Sequence, residues 1–158
     1  MFRFSSGSEK ELVGVSPRLV LVVRRALVLT PVDFRVLQGL RSAEQARINF
    51  GKGRTVDECV MAGIAAKYAK PSLAKVTWVR NPYSSKHMVQ ADGFGHAVDL
   101  LPAPYDWKDT KPFDLVAEAM ATASAELSIK TRWGYDWDGD GIKREKGEND
   151  GAHHELVG

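Results

Sequence analysis

Three separated stretches constrain what this chain can fold into more than any other feature: Ser85-Lys86-His87, Gly95-His96-Ala97-Val98-Asp99 and Asp150-Gly151-Ala152-His153. His87, Asp99 and His153 offer two imidazoles and a carboxylate as candidate ligands for one Zn²⁺, so a loop, a strand-like run and the C-terminal segment must reach a common point. Three N/O ligands leave the fourth tetrahedral position to water, as in a catalytic rather than a closed structural zinc site. Zinc lowers the pKa of such a water towards about 7, and a nearby carboxylate can take its proton as it attacks a carbonyl. Asp150, just ahead of His153, is a candidate for that carboxylate, its other reading being a loop Asp within Gly147-Glu148-Asn149-Asp150-Gly151. The reaction class indicated is metal-assisted amide hydrolysis.

Asp99 lies in His96-Ala97-Val98-Asp99-Leu100-Leu101, where an unpaired buried carboxylate would be costly and a metal would remove the cost. His96 competes with His87 for the first ligand position. Residues three apart on a strand point to opposite faces, which separates His96 from Asp99. His153 and His154 pose a question of register that spacing alone leaves open.

The surrounding patterns predict mixed helices and strands. Ser8-x-x-Glu11 reads as a capping box for a short first helix, and Ser16-Pro17 as the start of a second. Leu19, Val22, Val23, Ala26 and Leu27 recur at helical spacing, which predicts a helix over 17–29 with one buried face. Further helices are expected at about 42–50, 56–69 and 113–129, the last burying Phe113, Val116, Met120 and Leu127. Strands are expected at 32–37, 75–80, 130–133 and 152–157, besides the run through Asp99. Strands interrupted irregularly by helices favour an α+β fold with a small antiparallel sheet packed by helices.

Composition removes other classes. At 158 residues and 44% hydrophobic the chain suits one domain, 1–158, with no separate wall-binding module. Met1 to Ser8 lacks the apolar core of a signal peptide, and no run approaches the roughly 20 apolar residues of a membrane span. A net charge of +2, without a dense basic stripe, argues against nucleic-acid binding. The single cysteine, Cys59, excludes an internal disulfide and reads as an ordinary buried thiol.

Asp136-Trp137-Asp138-Gly139-Asp140-Gly141 reproduces positions 1, 3, 5 and 6 of an EF-hand calcium loop. The second half departs from it: Gly147 stands at position 12, with Glu145 and Glu148 on either side. The first reading is an Asp/Gly-rich surface turn, and the second a Ca²⁺ site on Asp136, Asp138 and Asp140.

The three opening stretches follow the order Ser-x-His-x-x-Gly-x-Ala-x-Asp and then Asp/Glu-x-x-His. They resemble the LAS-type zinc peptidases, a group that takes in D-alanyl-D-alanine carboxypeptidases, the hedgehog signalling domain and the L-alanyl-D-glutamate endopeptidases used by phages as endolysins. Likeness to the endolysin branch extends to Glu11-Leu12-Val13-Gly14-Val15, Asp33-Phe34-Arg35-Val36, Gly39-Leu40-Arg41-Ser42-Ala43-Glu44-Gln45 and Trp133-Gly134-Tyr135-Asp136-Trp137. The resemblance implies zinc on His87, Asp99 and His153, with Asp150 as general base and then acid. It aligns His154 with a position where an aromatic residue normally follows. Arg41 would hydrogen-bond the substrate or the developing oxyanion, a salt-bridged structural role being its other reading. Seven residues, Met88 to Phe94, separate His87 from Gly95 where the motif has two, an enlarged loop beside the cleft. Some endolysins of this kind carry an acidic calcium-responsive loop where Asp136 to Asp140 stand.

The expected function is therefore a zinc-dependent peptidoglycan endopeptidase that cleaves the stem peptide at the L-alanyl-D-glutamate bond. The chain would be made in the cytoplasm of an infected bacterium and act on the wall after a holin opens the membrane. It would be monomeric and without stable membrane association. The rivals are a D-alanyl-D-alanine carboxypeptidase and a non-catalytic metal-binding interaction domain of hedgehog type. Retention of Asp150 beside His153 argues against the latter.

Overall fold

Helix α2 (Pro17–Leu29) shows the expected periodicity turned into packing: Leu19, Val22, Val23, Ala26 and Leu27 are all buried. A proline in its first turn spares a hydrogen bond that could not form anyway. The computed structural model describes residues 1–158, which divide into two units: Met1–Leu40 with Val89–Gly158, and Arg41–Met88.

In the first unit, α1 (Ser6–Leu12) and α2 precede strand β1 (Phe34–Gln38). Strand β2 (Ala97–Pro102), helix α5 (Lys111–Leu127), β3 (Thr131–Gly134) and β4 (Asp150–Leu156) complete it. The strands form one sheet in the order β1-β2-β4-β3, every pair antiparallel. The α+β expectation thus holds. Helices α2 and α5 pack together, and their apolar faces join Phe34, Val36, Val98, Leu100 and Leu156 in one core. Central strands β2 and β4 have few exposed residues; in β2 this matches a nearly continuous apolar run, whereas β4 buries titratable side chains.

Two local expectations in this unit change. Ser5 caps α1 by accepting from the Ser8 N–H, while the Ser8 hydroxyl accepts from the Val36 N–H at 3.1 Å and ties the helix to β1. Helix α5 stops at Ser128, whose φ of 53° is left-handed, so the chain turns two residues before the expected end and Leu127 is 37% exposed.

In the second unit α3 (Ala43–Gly51) is capped by Ser42, and α4 (Val56–Met61) by a reciprocal capping box between Thr55 and Glu58. The helix expected to reach residue 69 ends early, because Gly63 at φ 78° breaks it and only a 3₁₀ turn, Ala66–Tyr68, follows. Phe50, Cys59 and Ile64 form its core. Residues 75–80 are not a strand. Their carbonyls turn to buried Arg54, which donates to Phe50 O at 2.7 Å and Thr77 O at 2.8 Å and lies over the Phe50 ring. A guanidinium with several donors substitutes for a neighbouring strand there.

No helix is long and apolar enough to cross a membrane. Packing of α2 sets a quantitative expectation for the first unit. Leu19→Ala, at a fully buried site, should cost about 2–5 kcal/mol. Leu21→Ala, 55% exposed on the same helix, should stay within about 0.5 kcal/mol of wild type in urea unfolding.

Candidate metal centre

Strand pairing aligns two of the expected ligands. Register places Asp99 opposite His153 across β2 and β4, and His153 Nδ1 lies 3.4 Å from Asp99 Oδ1. His153 is 8% exposed, and its other nitrogen, Nε2, lies 2.9 Å from Glu155 Oε1. Glu155 in turn accepts from Arg132 at 3.0 Å. Alternation along β4 explains why His153 and Glu155 share a face. Sequence reasoning missed Glu155, and the spacing His153-x-Glu155 on a strand was the available signal.

Strict alternation would send Asp150 away from His153. The β3–β4 register shifts between Trp133 and Gly134, so Gly134 pairs with Asp150 instead of His153. That irregularity brings the exposed Asp150 carboxylate close enough to act on His153 through its charge. Gly134 makes the shift possible, since a Cβ there would fall 2.0 Å from the Asp150 carbonyl oxygen. Gly151 likewise leaves room for the Tyr135 ring, 2.4 Å from where its Cβ would stand.

The two adjacent histidines have opposite electrostatics. Burial alone would lower the His153 pKa, but hydrogen bonds to Asp99 and Glu155 and the charges of Asp99 and Asp150 overcome it and raise it to about 9. His154 points to the other face of β4. Burial, with the His153 charge adding to it, holds that ring neutral with a pKa of about 3, stacked on Trp133 at 6.2 Å between centroids. A packed, uncharged ring suits a core aromatic position.

Arg41 and His87 lie in the second unit. Ser85 shapes the turn that carries His87: its hydroxyl accepts from the His87 N–H at 3.2 Å, and its carbonyl from the Met88 N–H at 3.0 Å. The His87 carbonyl accepts from the Arg41 N–H at 2.8 Å, so the backbone couples these two residues. His87 is 2% exposed. His96 is engaged elsewhere, 2.8 Å from Asp92 in the enlarged loop.

The acidic segment divides into two overlapping groups whose ligand atoms lie within 4.8 Å of one another: Asp136, Asp138 and Glu148, and Asp138, Asp140 and Glu145. Glu148 rather than residue 147 closes the first group, one place beyond the EF-hand position. The Trp137 N–H donates to one Glu148 oxygen, and the Trp137 ring packs on His153 at 5.2 Å.

Donor chemistry fits a metal. His87, Asp99 and His153 are a His/Asp/His set of the type zinc takes, and the facing Asp99 oxygen and His153 Nδ1 present donors to a common point. An all-antiparallel α+β fold with that donor set defines a candidate metal-dependent hydrolase.

A family model described as phage L-alanyl-D-glutamate peptidase matches residues 1–63 and 55–157. The L-alanyl-D-glutamate peptidase of Escherichia phage T5 is 35% identical over 164 aligned residues, covering 99% of this chain and 98% of that protein. The crystal structure of the L-Ala D-Glu endopeptidase ChiX of Serratia marcescens aligns with a TM-score of 0.62 and 30% identity, over 99% of this chain and 90% of that one. The chain belongs to the phage L-alanyl-D-glutamate peptidase family.

Without metal, His154 should make folding acid-sensitive. Below the ordinary histidine value of 6.5 the unfolded chain binds a proton that the buried ring refuses, so stability falls as pH drops from 6.5 towards about 3. In thermal melts of metal-free protein from about pH 8 to about pH 5, His154→Phe should lose less stability than wild type. Equal losses would mean that the ring is not held neutral.

Proposed function

We propose that the chain is a zinc endopeptidase that cleaves the stem peptide of peptidoglycan at the L-alanyl-D-glutamate bond and acts as a phage endolysin, with residues 1–158 as one catalytic domain. The observation that carries this is the Asp99–His153 pair across β2 and β4, with Asp150 acting on the same imidazole, in a chain of this peptidase family. His87, Asp99 and His153 would hold the ion. Bound zinc supplies Lewis-acid chemistry, acidifying a water and polarising the scissile carbonyl.

The chain's own residues do the rest. Asp150 takes the proton of the attacking water and passes it to the leaving amine. Its place at the exposed start of β4 leaves it open to substrate. Arg41, at the head of the second unit, hydrogen-bonds the substrate or its developing oxyanion. His153 carries a proton near neutral pH without metal, and Nδ1 must lose it before binding an ion. Zinc uptake therefore releases a proton. The protein acts as a monomer without stable membrane association, passing from the cytoplasm to the wall once a holin permeabilises the membrane.

Mass spectrometry of digested peptidoglycan tests the bond. New L-alanine and D-glutamate termini are expected; release of D-alanine alone would favour a D-alanyl-D-alanine carboxypeptidase, and no product a hedgehog-type binding domain. His153→Ala should lose zinc and lytic activity together, whereas His154→Ala should retain zinc. Asp150→Asn should keep zinc and lose about 10²–10⁴-fold in turnover, because an amide cannot accept the proton. Near-wild-type digestion by Asp150→Asn would remove Asp150 from the mechanism.

A second ion is favoured by a specific observation in the acidic loop. Asp136 Oδ1 and Glu148 Oε1 are buried and accept no hydrogen bond, and Glu148 is 7% exposed. Two such oxygens in one group want a cation, and an all-oxygen set suits Ca²⁺. Through Trp137, which lies between Asp136 and Asp138 and packs on His153, an ion there would order the wall of the metal centre. Calorimetry on zinc-loaded protein should detect Ca²⁺ binding that Asp138→Ala with Asp140→Ala abolishes without loss of zinc. No heat in wild type would reduce the segment to a surface turn.

A further inference from the structure

Four side chains form a continuous relay across three strands of the sheet. From β2 to β3 they run Asp99, His153, Glu155 and Arg132, and each contact follows from strand register: Asp99 is the β2 partner of His153, and Arg132 the β3 partner of Glu155. Asp99 Oδ1 meets Nδ1 of the imidazole at 3.4 Å and Glu155 Oε1 meets Nε2 at 2.9 Å, so the two ring nitrogens have different tasks. The second Glu155 oxygen accepts from Arg132 at 3.0 Å. Glu155 is 6% exposed, and neither carboxylate oxygen is left to water.

We propose that Glu155, held in place by Arg132, is a positioning residue for the metal: it keeps a proton on Nε2 of His153 and so turns the Nδ1 lone pair towards Asp99 and the ion. The inference rests on the zinc reading above. An imidazole that is neutral while it binds a metal carries one N–H, and an ionised carboxylate can only accept. A buried carboxylate at Nε2 therefore selects the tautomer whose free lone pair is on Nδ1. The negative charge also makes the ring a stronger donor to the ion. Arg132 prevents the carboxylate from rotating away, because its guanidinium occupies the oxygen that His153 does not use. Asp99 cannot supply the same restraint, since it stands on the side the ion would occupy.

A purely structural ion pair between Arg132 and Glu155 predicts something different. It would change folding stability and leave zinc affinity untouched. Competition with a chromogenic zinc chelator, on the full chain, separates the two. Glu155→Ala should weaken zinc binding by about 10–100-fold, the range for loss of an outer-shell partner of a ligating histidine. Glu155→Gln should lose less, because its amide oxygen still accepts from Nε2–H, and it serves as the test should the alanine variant fold poorly. Arg132→Ala should fall between wild type and Glu155→Ala. In ¹⁵N spectra of the zinc-loaded wild type, the His153 ring should show a protonated Nε2 and a metal-bound Nδ1.

Wild-type zinc affinity in Glu155→Ala and Glu155→Gln would overturn the proposal while leaving the zinc reading intact. Zinc on Nε2 in the wild-type spectrum would also overturn it. Failure of the wild type to take up zinc at all would remove the reading on which it rests.

Discussion

Pairing of β2 with β4 is the contact on which the remainder depends. These two strands are the centre of the sheet, and their register sets Val98 and His154 opposite each other on one face while Asp99 meets His153 on the other. A slip by one residue would exchange the faces of every side chain on β4. The slip is prevented by packing: Val98, Leu100 and Leu156 are locked into the core that α2 and α5 cover. Hydrophobic burial on one face thus aligns titratable groups on the other. The core has no chemical role of its own, yet it decides which donors can share an ion.

Placing polar groups on such a central sheet requires that each be satisfied. His153 has a carboxylate on either side, and Glu155 has both an imidazole and a guanidinium. A buried carboxylate without such partners would cost several kcal/mol, on the order of the protein's whole net stability. His154 solves the same problem in the opposite way, remaining uncharged and stacking on Trp133. Two neighbours of identical chemistry therefore differ in protonation state because one faces acids and the other faces the core.

In the second unit, side chains supplement the backbone hydrogen bonds of its helices and turns. Arg54 gathers carbonyls from Phe50 and Thr77, and Ser85 orders the turn before His87. His87 sits in a turn, in contrast to Asp99 and His153 on paired strands. The acidic segment is different again. Its carboxylates repel one another, as the raised pKa of Glu145, caused first by the charge of Asp140, makes plain.

Much of this was legible in the chain itself. The 3.6-residue periodicity of Leu19 to Leu27 reports a single buried face, and a helix reports its own burial because packing and local hydrogen bonding repeat together. The α+β class follows from the irregular order of strands and helices, and the zinc-peptidase reading from resemblance to a known family. What local pattern could not decide was pairing. Lys75–Arg80 has the composition of a strand, but a strand needs a neighbour, and Arg54 takes its carbonyls first. Residue types at 136–140 suggest a calcium loop, yet only the folded chain groups Glu148 with Asp136 and Asp138. Asp150 pairs with Gly134 through a register shift that no spacing rule encodes, and a side chain at Gly134 would clash with it. Residue identity determined which chemistry was available to this protein; long-range register, set by burying one face of the sheet, decided which of those groups meet.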